Sequence, residues 1–225
     1  MRGLTLITLV VGLLLVPVPA RAHCPGGFQY LYVAGGNSIT VESARTRIGW
    51  MGSSNVCNSD ASYSVSIVNN AASTGWVQVG WIYRNGYSSP KGYCERKPQN
   101  NGTGSYALTE YNVDSTEQLY SYFFNNLEQF ECRIGGETLR VSHKDWLGFS
   151  RGEWVPVQAE AHAPHVQLGR IAPDWLTFSD AEKITPSGGG SWSNLQVDGV
   201  HTDAAVWNWN QPDPNGFKVN TDASH

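Results

Sequence analysis

"TGWVQVGWIYR", residues 74–84, alternates with a period of two: Trp76, Gln78 and Gly80 point one way, and Val77, Val79 and Trp81 the other. The valine–tryptophan side reads as core. The other side sets an amide beside an indole, next to a glycine. A strand with one apolar and one polar face belongs in an antiparallel sheet whose second face is open or concave.

The same patterning recurs on both sides of this stretch. Residues 28–33, 61–68, 106–113, 119–125, 137–143, 154–162 and 205–210 alternate or are rich in β-branched and aromatic residues, and are read as strands. Between them lie turn signals such as "NNAASTG", "RNGYSSPKG", "PQNNGTG", "RIGGE" and "PSGGGS". "DSTEQLY" has the look of a helix start but is read as the first half of a strand, and "LTFSDAEKIT" is ambiguous in the same way. "ERKP" (95–98) reads as a solvated turn, and the polar tail is expected to fray after Phe217. Short, evenly spaced strands of this kind predict an all-β fold, an antiparallel β-sandwich or jelly roll. No internal repeat or long linker is present, so residues 23–225 are read as a single domain.

The first 22 residues read as a secretory signal peptide of bacterial type. Arg2 is followed by an apolar run from Leu4 to Val16, then Pro17, Pro19 and Ala20-Arg21-Ala22. Cleavage after Ala22 leaves 203 residues, enough for a sizeable core. It also removes Arg2 and Arg21, taking the formal charge from −4 to −6. The expected product is a secreted monomer with no membrane segment, and its acidity argues against nucleic acid as a partner. Four cysteines remain: Cys24, Cys57, Cys94 and Cys132. An exported chain with an even count predicts two disulfides, and pairing neighbours in sequence gives Cys24–Cys57 and Cys94–Cys132. Their spacing does not fit a zinc site, and no metal or other cofactor is expected.

Two further segments carry polar groups on a shared face. In "VPVQAEAH", Val155, Val157 and Ala159 make an apolar side, while Pro156, Gln158, Glu160 and His162 share the opposite one. "YSYFF" lines up Tyr120, Tyr122 and Phe124. A concave face lined by Trp76, Gln78, Tyr122, Phe124 and Glu160 would hold a polymer chain. Its aromatics would give flat contact area, and the Glu–Gln pair would supply acid–base and hydrogen-bonding groups. The sequence has no G-x-S-x-G and no H-E-x-x-H.

In order, "GWVQVGW", "YSYFFN", "CRIGGETLRV" and "VQAEAHAPHVQLGRIAPDWLTFSDAEKI" resemble the landmarks of the eqolisin-type glutamic peptidases over about residues 73–184. The chain is also similar to neprosin-like proteins and to secreted actinobacterial proteins. The resemblance implies a concanavalin-like or jelly-roll β-sandwich acting on polypeptides at acid pH. It places the family's glutamine at Gln78 and its glutamate at Glu160. The glutamate would activate a water and then protonate the leaving amine. The glutamine would orient that water and stabilise the oxyanion, with Trp76, Tyr122 and Phe124 as substrate contacts. "QAEAH" departs from the family's usual "AEW".

A different class of function is non-catalytic carbohydrate binding, with Trp50, Trp76, Trp192, Trp207 and Trp209 stacking on pyranose rings of a polysaccharide partner. A third reading is copper chelation by a mature N-terminal His23 with a second histidine. Cys24 follows His23 at once, and chance placement is the better account of it.

Overall fold

The computed structural model describes residues 29–35, 40–50, 61–69, 75–84, 87–99, 107–114, 116–161, 175–202 and 207–221. The expected signal peptide, Cys24, Cys57 and the "HAPH" stretch lie outside them. The described residues form fifteen strands: β1 (Gln29–Gly35), β2 (Ser43–Ile48), β3 (Ala61–Asn69), β4 (Gly75–Tyr83), β5 (Lys91–Lys97), β6 (Ala107–Tyr111), β7 (Gln118–Phe124), β8 (Gln129–Ile134), β9 (Glu137–His143), β10 (Val155–Ala161), β11 (Leu176–Ile184), β12 (Ser193–Asn194), β13 (Val197–Thr202), β14 (Trp207–Asp213) and β15 (Gly216–Thr221). The one α-helix among the described residues, α1 (Lys144–Leu147), follows β9 and ends on Gly148 in the left-handed conformation, and a single 3-10 turn lies at Pro186–Gly188.

The strands make two antiparallel sheets. The first has the order β13-β1-β10-β3-β4-β5-β6; the second runs β14-β15-β11-β2-β7-β8-β9, with β12 paired to β11. The chain is therefore an antiparallel β-sandwich. Its core lies between the sheets, where the period-two patterning delivers alternate residues. Tyr63, Val65 and Ile67 of β3, Val77, Val79 and Trp81 of β4, and Val155, Val157 and Ala159 of β10 come from the first sheet. Ile48, Tyr120, Tyr122, Phe130, Phe178 and Phe217 meet them from the second. Tyr63 stacks on Trp81 at 4.3 Å between ring centroids, and Phe178 on Phe217 at 4.4 Å. A disulfide joins Cys94 of β5 to Cys132 of β8 and so ties one sheet to the other.

Several sequence expectations are corrected. "ERKP" is not a solvated turn: Glu95, Arg96 and Lys97 continue β5 and are half-buried. The tail does not fray at Phe217, because Phe217 and Val219 are buried on β15, which pairs with β11 and β14. "LTFSDAEKI" is a strand broken by a bulge, with the register shifting between Ser179 and Glu182 and Asp180 at φ +50°.

Candidate functional site

The polar face of the first sheet faces away from the sandwich core. β4 contributes Trp76, Gln78 and Gly80 to it, and β3, paired alongside, contributes Ser62, Ser64 and Ser66. β10, on the far side of β3, contributes Gln158 and Glu160, and β5, on the other side of β4, contributes Tyr93 and Glu95. The serines are short because the long side chains of β4 and β10 need the room above β3. Although the face points away from the core, it is enclosed: Ser64 is fully buried, Tyr93 is 1% exposed and Gln78 is 8% exposed.

Gln78 and Glu160 share this sheet and this face. Gln78 is opposite Ser66 on β3, while Glu160 is opposite Ser62. One strand and four residues of register thus separate them, which on a flat lattice is roughly 16 Å between Cα atoms. They make no direct hydrogen bond. Gln158 Nε2 donates to Glu160 Oε2 at 3.1 Å, and Gln78 Nε2 donates to the Tyr93 hydroxyl at 2.5 Å.

Tyr93 occupies the gap. It is paired with Gly80, Gly80 with Ser64, and Ser64 with Gln158, so the four form one row across the sheet. Gly80 has no side chain to block the Tyr93 ring, and Ser64 lies beside the hydroxyl. Burial pushes the Tyr93 phenol well above the ordinary tyrosine range, and the charges of Glu95 and Glu160 push it further; the hydrogen bond from Gln78 and the nearby Ser64 hydroxyl offset part of this. The phenol therefore stays protonated.

At the edge of the face, Trp76 Nε1 donates to Glu95 Oε1 at 3.3 Å, and Lys97 Nζ sits 4.6 Å from the centre of the Trp76 ring. Trp76 thus lies beside Gln78 as expected. Tyr122 and Phe124 do not. Both are on β7 in the other sheet, where Tyr122 is buried in the sandwich core with its hydroxyl on the Glu95 carbonyl at 3.1 Å, and Phe124 packs on Phe130. Alternation correctly put them on one face, but that face is the inner one, so they do not line a cleft with Gln78. Tyr93, Glu95 and the serine column were missed. Their signal was present in "GYCERK", where period two sets Tyr93, Glu95 and Lys97 together, and in "SYSVS", where Ser62, Ser64 and Ser66 alternate with large residues.

Among the described residues no group of three or more histidines, cysteines, aspartates or glutamates could hold a metal ion, and no helix is long and apolar enough to cross a membrane.

No protein-family model matches the chain, and no curated protein sequence matches it. Among solved structures it is similar to scytalido-glutamic peptidase bound to a transition-state analogue inhibitor. The TM-score is 0.56 at 9% identity, covering 88% of this chain and 99% of that one. It is also similar to a glycoside hydrolase family 16 endo-glucanase from Bacteroides ovatus, with a TM-score of 0.45 at 10% identity over 64% of this chain and 73% of the other. A homodimeric agglutinin from chicken liver gives 0.34 at 11% identity, over 67% and 99%. At these identities the likeness is one of fold.

Proposed function

We propose that this chain is a secreted endopeptidase of the glutamic type, acting on polypeptides at acid pH. The observation that carries the reading is the placement of Gln78 and Glu160 on one face of one sheet, with Gln78 held by Tyr93 and Glu160 by Gln158. The similarity of fold to a glutamic peptidase supports it. Gln78 leans toward Tyr93 and Glu160 toward Gln158, so both side chains extend into the span between them, and a peptide carbonyl with its attacking water would have to fill the remaining gap of roughly 6 Å. Glu160 takes a proton from that water, which attacks the scissile carbonyl carbon. Gln78 donates an amide N–H to the oxygen as negative charge builds on it, an effect worth about 3 kcal/mol for one such donor. Glu160 then returns the proton to the nitrogen of the breaking C–N bond. The enclosure of the face keeps bulk water from competing for these hydrogen bonds.

Carbohydrate binding is the second reading, and one observation keeps it in play: Trp209 on β14 is 46% exposed. The other half-exposed indoles are less suited to stacking on sugars. Trp76, Trp146 and Trp192 each carry a cation on one ring face, from Lys97, Arg96 and Arg45 respectively.

The two readings separate in one experiment. The folded protein is incubated with denatured polypeptide from acid to neutral pH while new N-termini are counted, and in parallel is mixed with insoluble polysaccharides and sedimented. New N-termini without co-sedimentation support the peptidase. Co-sedimentation without new N-termini overturns it in favour of carbohydrate binding.

A further inference from the structure

We propose that Tyr93 is the positioning residue of this site: its hydroxyl, reaching across the side-chain-free Gly80 between Gln78 and the Ser64–Gln158–Glu160 groups, fixes the Gln78 amide for work on the substrate carbonyl. The inference rests on the peptidase reading above and names a third member of its machinery.

Three observations converge on it. A glutamine has three side-chain torsions, and an unrestrained amide would point its N–H groups in many directions. Here one N–H is committed to Tyr93 at 2.5 Å, which leaves the second N–H and the amide oxygen in a defined orientation for water and oxyanion. The ring of Tyr93 is itself immobile, being 1% exposed and seated against Gly80, where no side chain competes for the space. Finally, the row from Tyr93 through Ser64 to Gln158 leads to the neighbour of Glu160, since Gln158 Nε2 bonds its carboxylate. Strand pairing thus sets the two candidate catalytic groups on one stretch of the sheet, each held by its own hydrogen bond, Gln78 to Tyr93 and Glu160 to Gln158, although four residues of register separate them. Tyr93 accepts a hydrogen bond from Gln78 and need not exchange a proton at any step.

The test is a double-mutant cycle on peptide cleavage by the folded protein, using wild type, Tyr93→Phe, Gln78→Ala and the pair together. Near-ultraviolet circular dichroism establishes that each variant is folded. Tyr93→Phe is expected to lower kcat about ten- to a hundredfold with KM changed less than about twofold, because only orientation is lost. In the Gln78→Ala background the same substitution is expected to have almost no further effect, a non-additivity that a merely structural tyrosine would not show. Equal losses in both backgrounds, or an unchanged kcat, would overturn the role of Tyr93 while leaving the peptidase reading intact. Absence of cleavage by the wild type at every pH overturns both. Should Tyr93→Phe lose its fold, 3-fluorotyrosine in place of Tyr93 keeps the shape but weakens the acceptor. A fall in kcat at constant KM then supports the proposal, and no change refutes it.

Discussion

The backbone of Gly80 passes so close to Tyr63 on the neighbouring strand that a Cβ on residue 80 would lie 1.9 Å from the Tyr63 carbonyl oxygen and 2.8 Å from Ser64 Cα. Both neighbours are backbone atoms in the middle of the first sheet, so neither can swing aside as a side chain would. Gly80→Ala must push β3 and β4 apart, and should cost about 3 kcal/mol of stability in chemical denaturation. The damage falls on the strand pair that carries Gln78. A variant as stable as wild type would mean that the two strands do not approach as described.

Trp76 holds Glu95 through its indole N–H and supports Lys97 on its ring. On the proposed peptidase reading, its place beside Gln78 makes it a substrate contact and not a participant in bond breaking. Trp76→Leu should therefore raise KM about three- to tenfold and leave kcat within about twofold, since binding shared by ground and transition states affects KM alone. Steady-state kinetics on a peptide substrate check this. A selective loss of kcat would move Trp76 into the chemistry.

Glu131 on β8 bears on acid stability. Burial acts to raise its carboxyl, but hydrogen bonds from Asn125, Arg133 and Thr138 together with the Arg133 charge outweigh burial and hold it below the ordinary value of 4.5. A carboxyl with a lowered folded-state pKa contributes stability that is fully present above the unfolded-state value and is lost as pH falls through the folded-state value. Wild type should thus lose stability as pH drops below about 4.5, and Glu131→Gln should be weaker near neutrality but fall less over that acid range. Thermal melts across the range would show the two curves converging in acid. Parallel curves would contradict the assignment.

The Cys94–Cys132 bridge joins the two sheets and closes a loop with a sequence separation of 38. A loop of that size constrains the unfolded chain by about 4 kcal/mol. Replacing both cysteines by alanine should lower the melting temperature markedly, and reduction of the wild type should lower it at least as far. A melting temperature insensitive to both would show that the core alone holds the sheets together.

Strands with large alternating residues were legible in the sequence. β3, β4 and β10 each put bulky apolar side chains inward and short or polar ones outward, and their positions were read to within a residue or so. β2, β5, β8, β13 and β15 were not read; Phe130, Cys132 and Ile134 on β8 and Phe217 and Val219 on β15 alternate inward and carried a usable signal, whereas the inner positions of β2 and β5 are small or polar. Ala44 and Thr46 are buried on β2, with Thr46 Oγ1 donating to the Ser179 carbonyl at 2.9 Å, and Gly92 is buried on β5 against Val113 and Ile134. Serine, threonine and glycine look like turn residues until a neighbouring sheet is there to satisfy or cover them. Tyr122 and Phe124 failed for a different reason. Alternation assigns residues to the same face but does not say which face is inner, and that is decided by the packing of the whole second sheet. Missing β5 also hid Tyr93, although Gln78 and Glu160 could be named from their own strands.

On the proposed function, Glu160 and Gln78 together hydrolyse peptide bonds. New N-termini released from a denatured polypeptide at acid pH are counted for wild type, Glu160→Gln and Gln78→Ala, each shown to be folded. Release by wild type, none by Glu160→Gln and a loss of about a hundredfold or more in Gln78→Ala is the predicted result. Undiminished release by folded Glu160→Gln, or none by the wild type, would contradict the account.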